Sequence, residues 1–282
     1  MLRLATPILA RSQVPLSLGV RPHMNNWEET RSHLLEMLER HYRRCVNLLP
    51  EVGFDSSSGQ HLHCMCLYAS VIELCPTIIH LAKNDSFVAV PLILRSMYEA
   101  DIDLCNSIRD ENYFKSVCAE YLTKMTRVLQ VAHNTEAEGF LSASGGKESL
   151  REFLKKKNGE LEALKKEGHR PMQIVERFEM ANRGDEYISA YAYLCGHSHS
   201  DIATLEERHL RTTENGVEVV LYESMDIEST VHHLNLTNSV FIRTSGMLHR
   251  FVDSGHTEEI DGMYAELEAA REQWPEAVQG VA

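Results

Sequence analysis

The sequence predicts an all-α protein, a bundle of seven to eight helices with one small β-hairpin at about residues 208–222. Two observations support this fold class. Apolar residues recur at helical spacing along most of the chain, and the breaks between these stretches are short polar runs rich in Gly, Ser, Asn and Asp. Strong strand signals surround Asn215-Gly216, the dipeptide that favours a two-residue hairpin turn.

The length and composition are those of one globular domain. The chain has 282 residues, of which 43% are hydrophobic, enough to bury a substantial core. We predict a single α-helical domain over residues 25–282. Residues 1–24 differ in character, because they contain three arginines and three prolines and no acidic residue. We interpret them as a disordered leader, or as a stretch that precedes a true start at Met24.

The charge and the cysteines narrow the class of protein. The formal net charge is -13, and a surface this acidic is a poor general binder of nucleic acid, although a local basic site is compatible with it. The seven cysteines are an odd number and lie mostly within apolar helical patterns, as reduced core thiols of a cytosolic protein do. No apolar run reaches the roughly 20 residues that cross a bilayer, so we expect no membrane association.

The first two helices are predicted from their ends and their apolar faces. Asn26 and Glu29 have the spacing of a capping box, and the helix that they begin continues to Pro50. After a loop that contains three consecutive serines, an apolar helix covers residues 61–83. Pro76 lies inside this second helix, where it is expected to kink or split it.

The third helix, residues 87–106, organises the prediction because it is apolar around nearly its whole circumference. A helix of this kind is buried. Arg95, Glu99 and Asp103 nevertheless occupy one stripe of it, at positions i, i+4 and i+8. Charges in a core are costly unless they are paired or used. The stripe therefore predicts an internal ion network or a functional site.

The later elements follow the same alternation of apolar helices and polar breaks. A fourth helix is predicted at residues 110–133, and a strongly charged helix at residues 147–167. A further helix covers residues 185–201, and the hairpin follows it. More helical stretches complete the chain, and the last of them, residues 257–274, is acidic.

Tyrosines and histidines fall into two rows on the helix of residues 185–201. The first row is Tyr187, Tyr191, Cys195 and His199, and the second is Tyr193, His197 and Asp201. Such aromatic side chains bury a ring and present a polar tip. His199 therefore either joins two helices as a hydrogen-bonded core histidine or belongs to a site.

Three motifs occur in a characteristic order along these helices. They are Arg95-x-x-x-Glu99, Tyr191-x-x-Leu194-Cys195-x-x-x-His199 and the pair Arg208-His209. In this order they resemble a large bacterial family that is known only as a domain of unknown function, over roughly residues 26–253. The resemblance implies an all-α protein of the bacterial cytoplasm without an established activity. More distantly, the chain resembles the HEPN class of helical bundles, many of which are RNases in toxin and phage-defence systems.

The HEPN motif itself does not single out a site. It consists of an arginine and a histidine that are separated by four to six residues on one helix. The chain contains such pairs at Arg127/His133, Arg243/His249 and Arg250/His256. Chance alone predicts about three. Arg127/His133 lies on the most convincing helix of these.

The two informative helices together indicate one site. Arg95 would bind a phosphate or a carboxylate through its guanidinium fork. Glu99 and His199 would serve as acid and base, and Tyr191 would donate a hydrogen bond. Arg95, Glu99, Tyr191 and His199 are therefore the candidate catalytic residues. The alternative is a structural network, in which His199 caps an ion pair between Arg95 and Glu99.

Metal chemistry is an alternative for the same region. The ligand types that helical bundles use for paired metals are present at Glu99, Asp103, His197 and His199. Such bundles carry two Glu-x-x-His motifs, whereas this chain contains one, from Glu206 to His209. We assign no metal and no cofactor from the sequence.

These residues lead to three functional hypotheses. The first is a HEPN-like protein that processes RNA or another phosphodiester in defence or stress, with RNA or a nucleotide phosphate as its partner. The second is a non-enzymatic sensor or adaptor, which would bind a protein partner through the acidic helix of residues 257–274. The third is a metal-binding bundle with carboxylate and histidine ligands. The sequence leaves the choice between an enzyme and a non-enzyme open, and it leaves the oligomeric state open.

Overall fold

The structure confirms the all-α class. It is a computed structural model that describes residues 24–135, 138–139, 145–198, 201–214, 216–221, 224–272 and 274, with side chains from Trp27 onward. Within these residues there are ten helices of seven or more residues and one two-stranded sheet. The predicted count of seven to eight helices is therefore too low.

The elements are numbered here in chain order. The helices are α1 (Met24–Leu48), α2 (Gly59–Lys83), α3 (Val90–Arg109), α4 (Tyr113–Asn134), α5 (Lys147–Lys166), α6 (Ile174–Met180), α7 (Ala192–Ser198), α8 (Ile202–His209), α9 (Ile227–Phe251) and α10 (Thr257–Arg271). The strands are β1 (Leu210–Thr213) and β2 (Gly216–Val219). Short 3₁₀ turns follow α1 and precede α3.

Helix α3 lies within the main core, as its apolar circumference predicts. It packs against α2, α7 and α9. Pro91 occupies its first turn, where a missing backbone N–H costs no intrahelical hydrogen bond. Leu94, Met97 and Ile102 are fully buried, and each side chain of this size contributes about 2 kcal/mol of hydrophobic stabilisation. This packing determines the direction in which the polar stripe of α3 faces.

Helix α2 is continuous across Pro76, so the predicted split does not occur. Proline removes one backbone hydrogen bond, but the neighbouring Cys75 and Ile78 are fully buried, and their packing holds the helix together. By length and composition alone, α2 among the described residues is long and apolar enough to cross a membrane. The core helix of a soluble protein meets the same criterion, and eight residues of α2 are buried in the main core.

Helices α4 and α5 form an antiparallel pair with apolar clusters of its own. One cluster contains Leu129, Leu150 and Leu154, and the other contains Leu122 and Leu161. The early part of α4 thus meets the late part of α5, so the two helices run in opposite directions. Both lie where the sequence predicts them, to within a few residues.

The predicted hairpin is present. β1 and β2 pair antiparallel, with Leu210 opposite Val219 and Thr213 opposite Gly216. Gly216 has a φ of +129°, a backbone conformation that favours glycine. Nearly every residue of the two strands is exposed, so the hairpin stands out from the helical bundle.

The chain before the hairpin differs from the prediction. The sequence predicts one helix over residues 185–201, whereas a new helix, α8, begins at Ile202, and residues 199–200 lie outside the described part of the chain. Asp201 caps α8, since its carboxylate accepts a hydrogen bond from the backbone N–H of Ala203 at 2.9 Å. The predicted row of side chains places Asp201 at the end of one helix, whereas in the structure Asp201 is the N-cap residue of the next helix.

Candidate functional site

A π-helical segment positions Tyr191, the tyrosine of the predicted site. One helical turn, Gly184–Glu186, leads into five π-helical residues, Tyr187–Tyr191, and these lead into α7. A π-helical turn contains an additional residue, so it rotates the following side chains relative to α-helical spacing, and such segments are frequent at functional sites. In this arrangement the hydroxyl of Tyr191 reaches α3.

Arg95, Glu99 and Tyr191 meet between α3 and the π-helical segment. Nε of Arg95 lies 3.1 Å from Oε1 of Glu99, and the Tyr191 hydroxyl donates a hydrogen bond to the same oxygen at 2.7 Å. Nη1 of Arg95 donates to the hydroxyl of Ser198 at 2.5 Å. The side chains of Arg95 and Glu99 are 24% and 39% exposed, so solvent reaches them. We call these four residues the Glu99 cluster.

Three of the four candidate catalytic residues are therefore adjacent. The fourth, His199, lies outside the described residues. Ser198, which the sequence pattern does not select, completes the cluster, and its hydroxyl also donates to the carbonyl of Cys195 at 2.9 Å. No sequence signal distinguishes Ser198 from the other serines, because its role depends on where Arg95 lies in the fold.

The Glu99 cluster keeps its donors protonated at neutral pH. Burial, reinforced by the hydrogen bond to Glu99, raises the pKa of the Tyr191 hydroxyl. Burial by itself would lower the pKa of Arg95, but the contacts with Tyr191 and Glu99 outweigh that effect and raise it. The cluster thus presents a guanidinium cation and a neutral phenol to the carboxylate of Glu99.

The polar stripe of α3 continues into a closed ion network at Asp103. Arg177 of α6 donates to both carboxylate oxygens of Asp103, at 3.2 and 3.0 Å, and it also pairs with Glu120 of α4. The Tyr113 hydroxyl donates to Asp103 at 2.5 Å. Burial raises the pKa of Asp103 despite these partners. This end of the stripe is an internal ion network, whereas the Glu99 end is open to solvent.

A second buried network centres on Asp101, which the sequence pattern does not select. Asp101 is fully buried and lies 2.6 Å from both Arg183 and Arg243. Thr244 donates to it at 2.8 Å, and Glu186 pairs with Arg183 at 2.6 Å. Two carboxylates and two guanidiniums balance, so this network is a closed structural unit. The available sequence signal is an acidic residue between apolar neighbours on the face opposite the stripe.

An open cleft of about 680 Å³ lies beside the Glu99 cluster, between α3, α4 and the start of α6. Its charged lining consists of four cations, Arg95, Lys124, Arg170 and Arg177, and three carboxylates, Glu99, Glu120 and Glu176. Arg170 pairs with Glu176 at 2.7 Å, and Lys124 pairs with Glu120 at 2.5 Å. Arg177 is in turn paired with Asp103, just behind the lining, so the four cations are balanced by four carboxylates. We call this space the cleft.

The alternative metal ligands do not converge within the described residues. Glu99 and Asp103 are paired with arginines, and the His197 ring instead contacts Tyr193, with 4.9 Å between the ring centroids. In the described part of the chain, no group of three or more His, Cys, Asp or Glu side chains is arranged to hold a metal ion.

The arginines and histidines of the HEPN-like pairs have other partners. Arg243 belongs to the Asp101 network, and His249 contacts the hydroxyl of Ser254 at 2.8 Å. Arg250 and His256 pair with carboxylates, namely those of Asp261 and Glu51. Arg127 is exposed on α4, and a residue six positions later, as His133 is, lies about 240° around a helix from it. None of the three pairs is joined by a hydrogen bond between the side chains that the structure describes.

A family model covers the region of the cleft. Residues 61–217 match the model of a family described as "Family of unknown function (DUF5677)". The match spans more than half of the chain, from α2 to the hairpin. The chain belongs to this family. The DUF5677 segment contains the whole Glu99 cluster, and the membership confirms the resemblance to a domain of unknown function. No curated protein and no solved structure matches the chain.

Proposed function

We propose that this protein binds RNA or a nucleotide phosphate in the cleft and cleaves a phosphodiester bond there by acid–base chemistry. The observation that carries the proposal is the Glu99 cluster, in which a guanidinium, a phenol and a carboxylate converge at the wall of an open cleft that is rich in charged side chains. A purely structural ion pair needs no cleft, and the network at Asp101 on the same helix is buried and closed.

Arg95 is the proposed phosphate ligand. Its Nη1 donates to a neutral hydroxyl, that of Ser198, and a phosphate oxygen would replace this contact with a stronger charge-assisted hydrogen bond. Lys124 and Arg170 line the same cleft in solvent-exposed ion pairs, and a bound nucleic-acid backbone would displace their carboxylate partners. The whole chain carries a charge of -13, so most of its surface repels phosphate, and binding would depend on the cations of the cleft. Binding should therefore weaken steeply as the salt concentration rises.

Glu99 is the proposed general base. Its Oε1 accepts from Arg95 and Tyr191, and among the described residues no bond to Oε2 is found, which leaves that oxygen to accept a proton. In RNA the proton comes from the ribose 2′-hydroxyl, whose oxygen bonds to phosphorus as the bond from phosphorus to the 5′-oxygen breaks. The leaving 5′-oxygen takes a proton from a general acid, and His199 is the proposed acid.

Cleavage of labelled oligonucleotides tests this proposal. Single-stranded RNA and DNA of the same sequence would be incubated with the protein at low salt. We expect the wild-type protein to cleave the RNA, Glu99→Gln to reduce the rate by about 100-fold or more, and Arg95→Ala to weaken binding. Arg151→Ala is the matched control, since Arg151 is 69% exposed on α5, outside the cleft. If the wild-type protein neither binds nor cleaves either oligonucleotide, the proposal is wrong.

A second proposal is a non-enzymatic role as an adaptor for a protein partner. The sequence indicates the acidic helix of residues 257–274 as the contact, but several of its carboxylates form ion pairs within the fold. Glu259 of α10 pairs with Arg44 of α1, and Asp261 pairs with Arg250 of α9. These carboxylates hold α10 against the bundle, so a partner would have to compete for them.

An exposed apolar stripe on α4 fits the adaptor role better. Tyr121, Val128 and Val131 are 55%, 50% and 56% exposed, and their positions lie within a sector of about 80° on the helix. We expect a stoichiometric partner that purifies with the wild-type protein to be lost from Val128→Asp. Val219→Asp, on the exposed hairpin, is the control and should retain the partner. Retention by both variants would exclude the α4 stripe as the contact.

A further inference from the structure

A second cavity lies between α7, α8, the hairpin and the start of α9. Its volume is about 320 Å³, which is within the range of small-molecule sites. Tyr193 and His197 of α7 form an aromatic wall, and Leu210 and Met225 supply apolar surface. We call this space the hairpin cavity. Seven of the eleven described residues that line it are polar or charged, so it suits a polar ligand that also presents a flat aromatic face.

Two charged side chains of the hairpin cavity have no charged partner among the residues that the structure describes. They are Glu207 and Arg208, adjacent at the end of α8. Nε of Arg208 is also buried without a hydrogen-bond partner, and so is Nδ1 of His197. Buried polar atoms in folded proteins nearly always have a partner. These two atoms are closed to solvent, and a bound molecule would instead reach the part of the Arg208 guanidinium that lines the cavity.

The other charged groups of the hairpin cavity are engaged. The carboxylate of Asp226 caps α9, because it accepts a hydrogen bond from the backbone N–H of Ser229 at 2.8 Å. Arg211 is not without a partner either, so it is not counted as an available cation. The cavity therefore offers one available cation and one available carboxylate beside an aromatic wall.

Arg208 also lies at the junction with a neighbouring cavity. That cavity has a volume of about 550 Å³, and its lining includes Arg208, Val88 and Leu221. An anion held by Arg208 therefore has space on two sides. The position of Arg208 between two cavities suits an anionic group, such as a phosphate, that has further parts of the ligand attached on both sides.

We propose that the hairpin cavity binds a nucleotide, with its base against Tyr193 and His197 and its phosphate on Arg208. Aromatic side chains bind nucleobases by stacking, and a guanidinium binds phosphate through paired N–H groups. Glu207 is an acceptor for the base, and a carboxylate pairs best with two adjacent donors, as guanine presents at N1 and N2. The assigned ligand class is a guanine nucleotide, and this assignment does not depend on catalysis in the cleft.

The aromatic wall is neutral at physiological pH. Burial lowers the pKa of His197, and burial raises the pKa of Tyr193 to about 12. Both rings are therefore uncharged, and they contribute to base binding by stacking alone. The phosphate is left to Arg208, while Glu207 discriminates between bases.

Isothermal titration calorimetry with GMP, AMP, guanosine and inorganic phosphate tests the assignment. We expect wild-type protein to bind GMP with a Kd below about 1 mM, and about tenfold more tightly than AMP. Arg208→Ala should weaken GMP about tenfold and leave guanosine within about twofold. Glu207→Gln should remove most of the preference for GMP over AMP. Arg151→Ala, which removes one exposed positive charge elsewhere, should change none of these affinities.

Arg208→Lys keeps the proposal testable if Arg208→Ala does not fold. Lysine retains the charge but lacks the paired N–H geometry, so an intermediate affinity for GMP is expected. Circular dichroism and Tm establish that each variant is folded. Absence of GMP binding to the wild-type protein at millimolar concentration would overturn the proposal, as would wild-type affinity in the Arg208 variants. Inorganic phosphate binding as tightly as GMP would reduce the site to an anion site and overturn the nucleotide assignment.

Discussion

Asp101 and Glu99 lie on the same helix, α3. Replacing each carboxylate by the isosteric amide compares how much the two carboxylates contribute to the free energy of unfolding. Asp101 is fully buried between Arg183 and Arg243. Glu99 is 39% exposed at the cleft. We predict that Asp101→Asn destabilises the fold strongly and that Glu99→Gln destabilises it only slightly.

The magnitudes follow from what each substitution leaves behind. Asp101→Asn removes one charge from a balanced network, so Arg183 and Arg243 then share Glu186 alone. Removing one partner of a buried ion pair costs about 3–5 kcal/mol, and we expect the lower end, about 3 kcal/mol, because Glu186 remains. An ion pair that solvent reaches contributes less than about 1 kcal/mol, which sets the expected cost of Glu99→Gln.

Urea denaturation at pH 7, monitored by far-ultraviolet circular dichroism, measures the free energy of unfolding of each variant and of the wild-type protein. For a chain of this length, a loss of about 3 kcal/mol corresponds to a decrease of about 5 °C in Tm. The refuting result is an equal cost for the two substitutions. Glu99 would then be a structural residue, and the acid–base role proposed for it would lose its physical basis.

The pH dependence of the same difference provides a control. Burial opposes ionisation of Asp101, but the guanidiniums of Arg243 and Arg183 outweigh it and hold the pKa of Asp101 below its usual value. Its charge therefore stabilises the folded state above the unfolded pKa of about 4, and this contribution is lost as the pH falls below that value. The stability difference between wild type and Asp101→Asn should shrink in this range. An undiminished difference at about pH 2 would contradict the ionic explanation.

Other single contacts lead to three more predictions. Tyr191→Phe removes the hydroxyl that donates to Glu99 but keeps the ring, so we expect a loss of about 1 kcal/mol in urea denaturation and a slower cleavage of RNA. Burial lowers the pKa of His233 to about 4, so the unfolded state binds the proton first, and stability should fall as the pH drops from about 6.5 to 4. His233→Gln should flatten this slope, and an unchanged slope would exclude His233 as its source. Leu161→Ala opens the small cluster between α4 and α5 and should cost about 2–4 kcal/mol; hydrogen exchange should then show these two helices opening before the main core.

Helix α3 shows most clearly which parts of the candidate site the sequence predicts. The apolar circumference predicts burial, and the spacing of Arg95 and Glu99 predicts their ion pair, because residues four apart on a helix are neighbours in any fold. The position of Tyr191 beside them is also as the motifs indicate. Ser198 was not predictable, since its contact with Arg95 joins residues that are 103 positions apart. The role of His199 stays a prediction.

By itself, the sequence determined the all-α class, the hairpin and the polar stripe, because helical periodicity and turn chemistry act over a few residues. Only the tertiary structure decided which guanidinium meets which carboxylate. Asp101 pairs with Arg183, 82 positions away, and with Arg243, 142 positions away. The tertiary structure also places Tyr191 beside Glu99, which remains partly exposed to solvent, and Arg177 beside Asp103, which is buried. The physical reason is that contacts between distant residues depend on how the helices pack, and local spacing does not encode that packing.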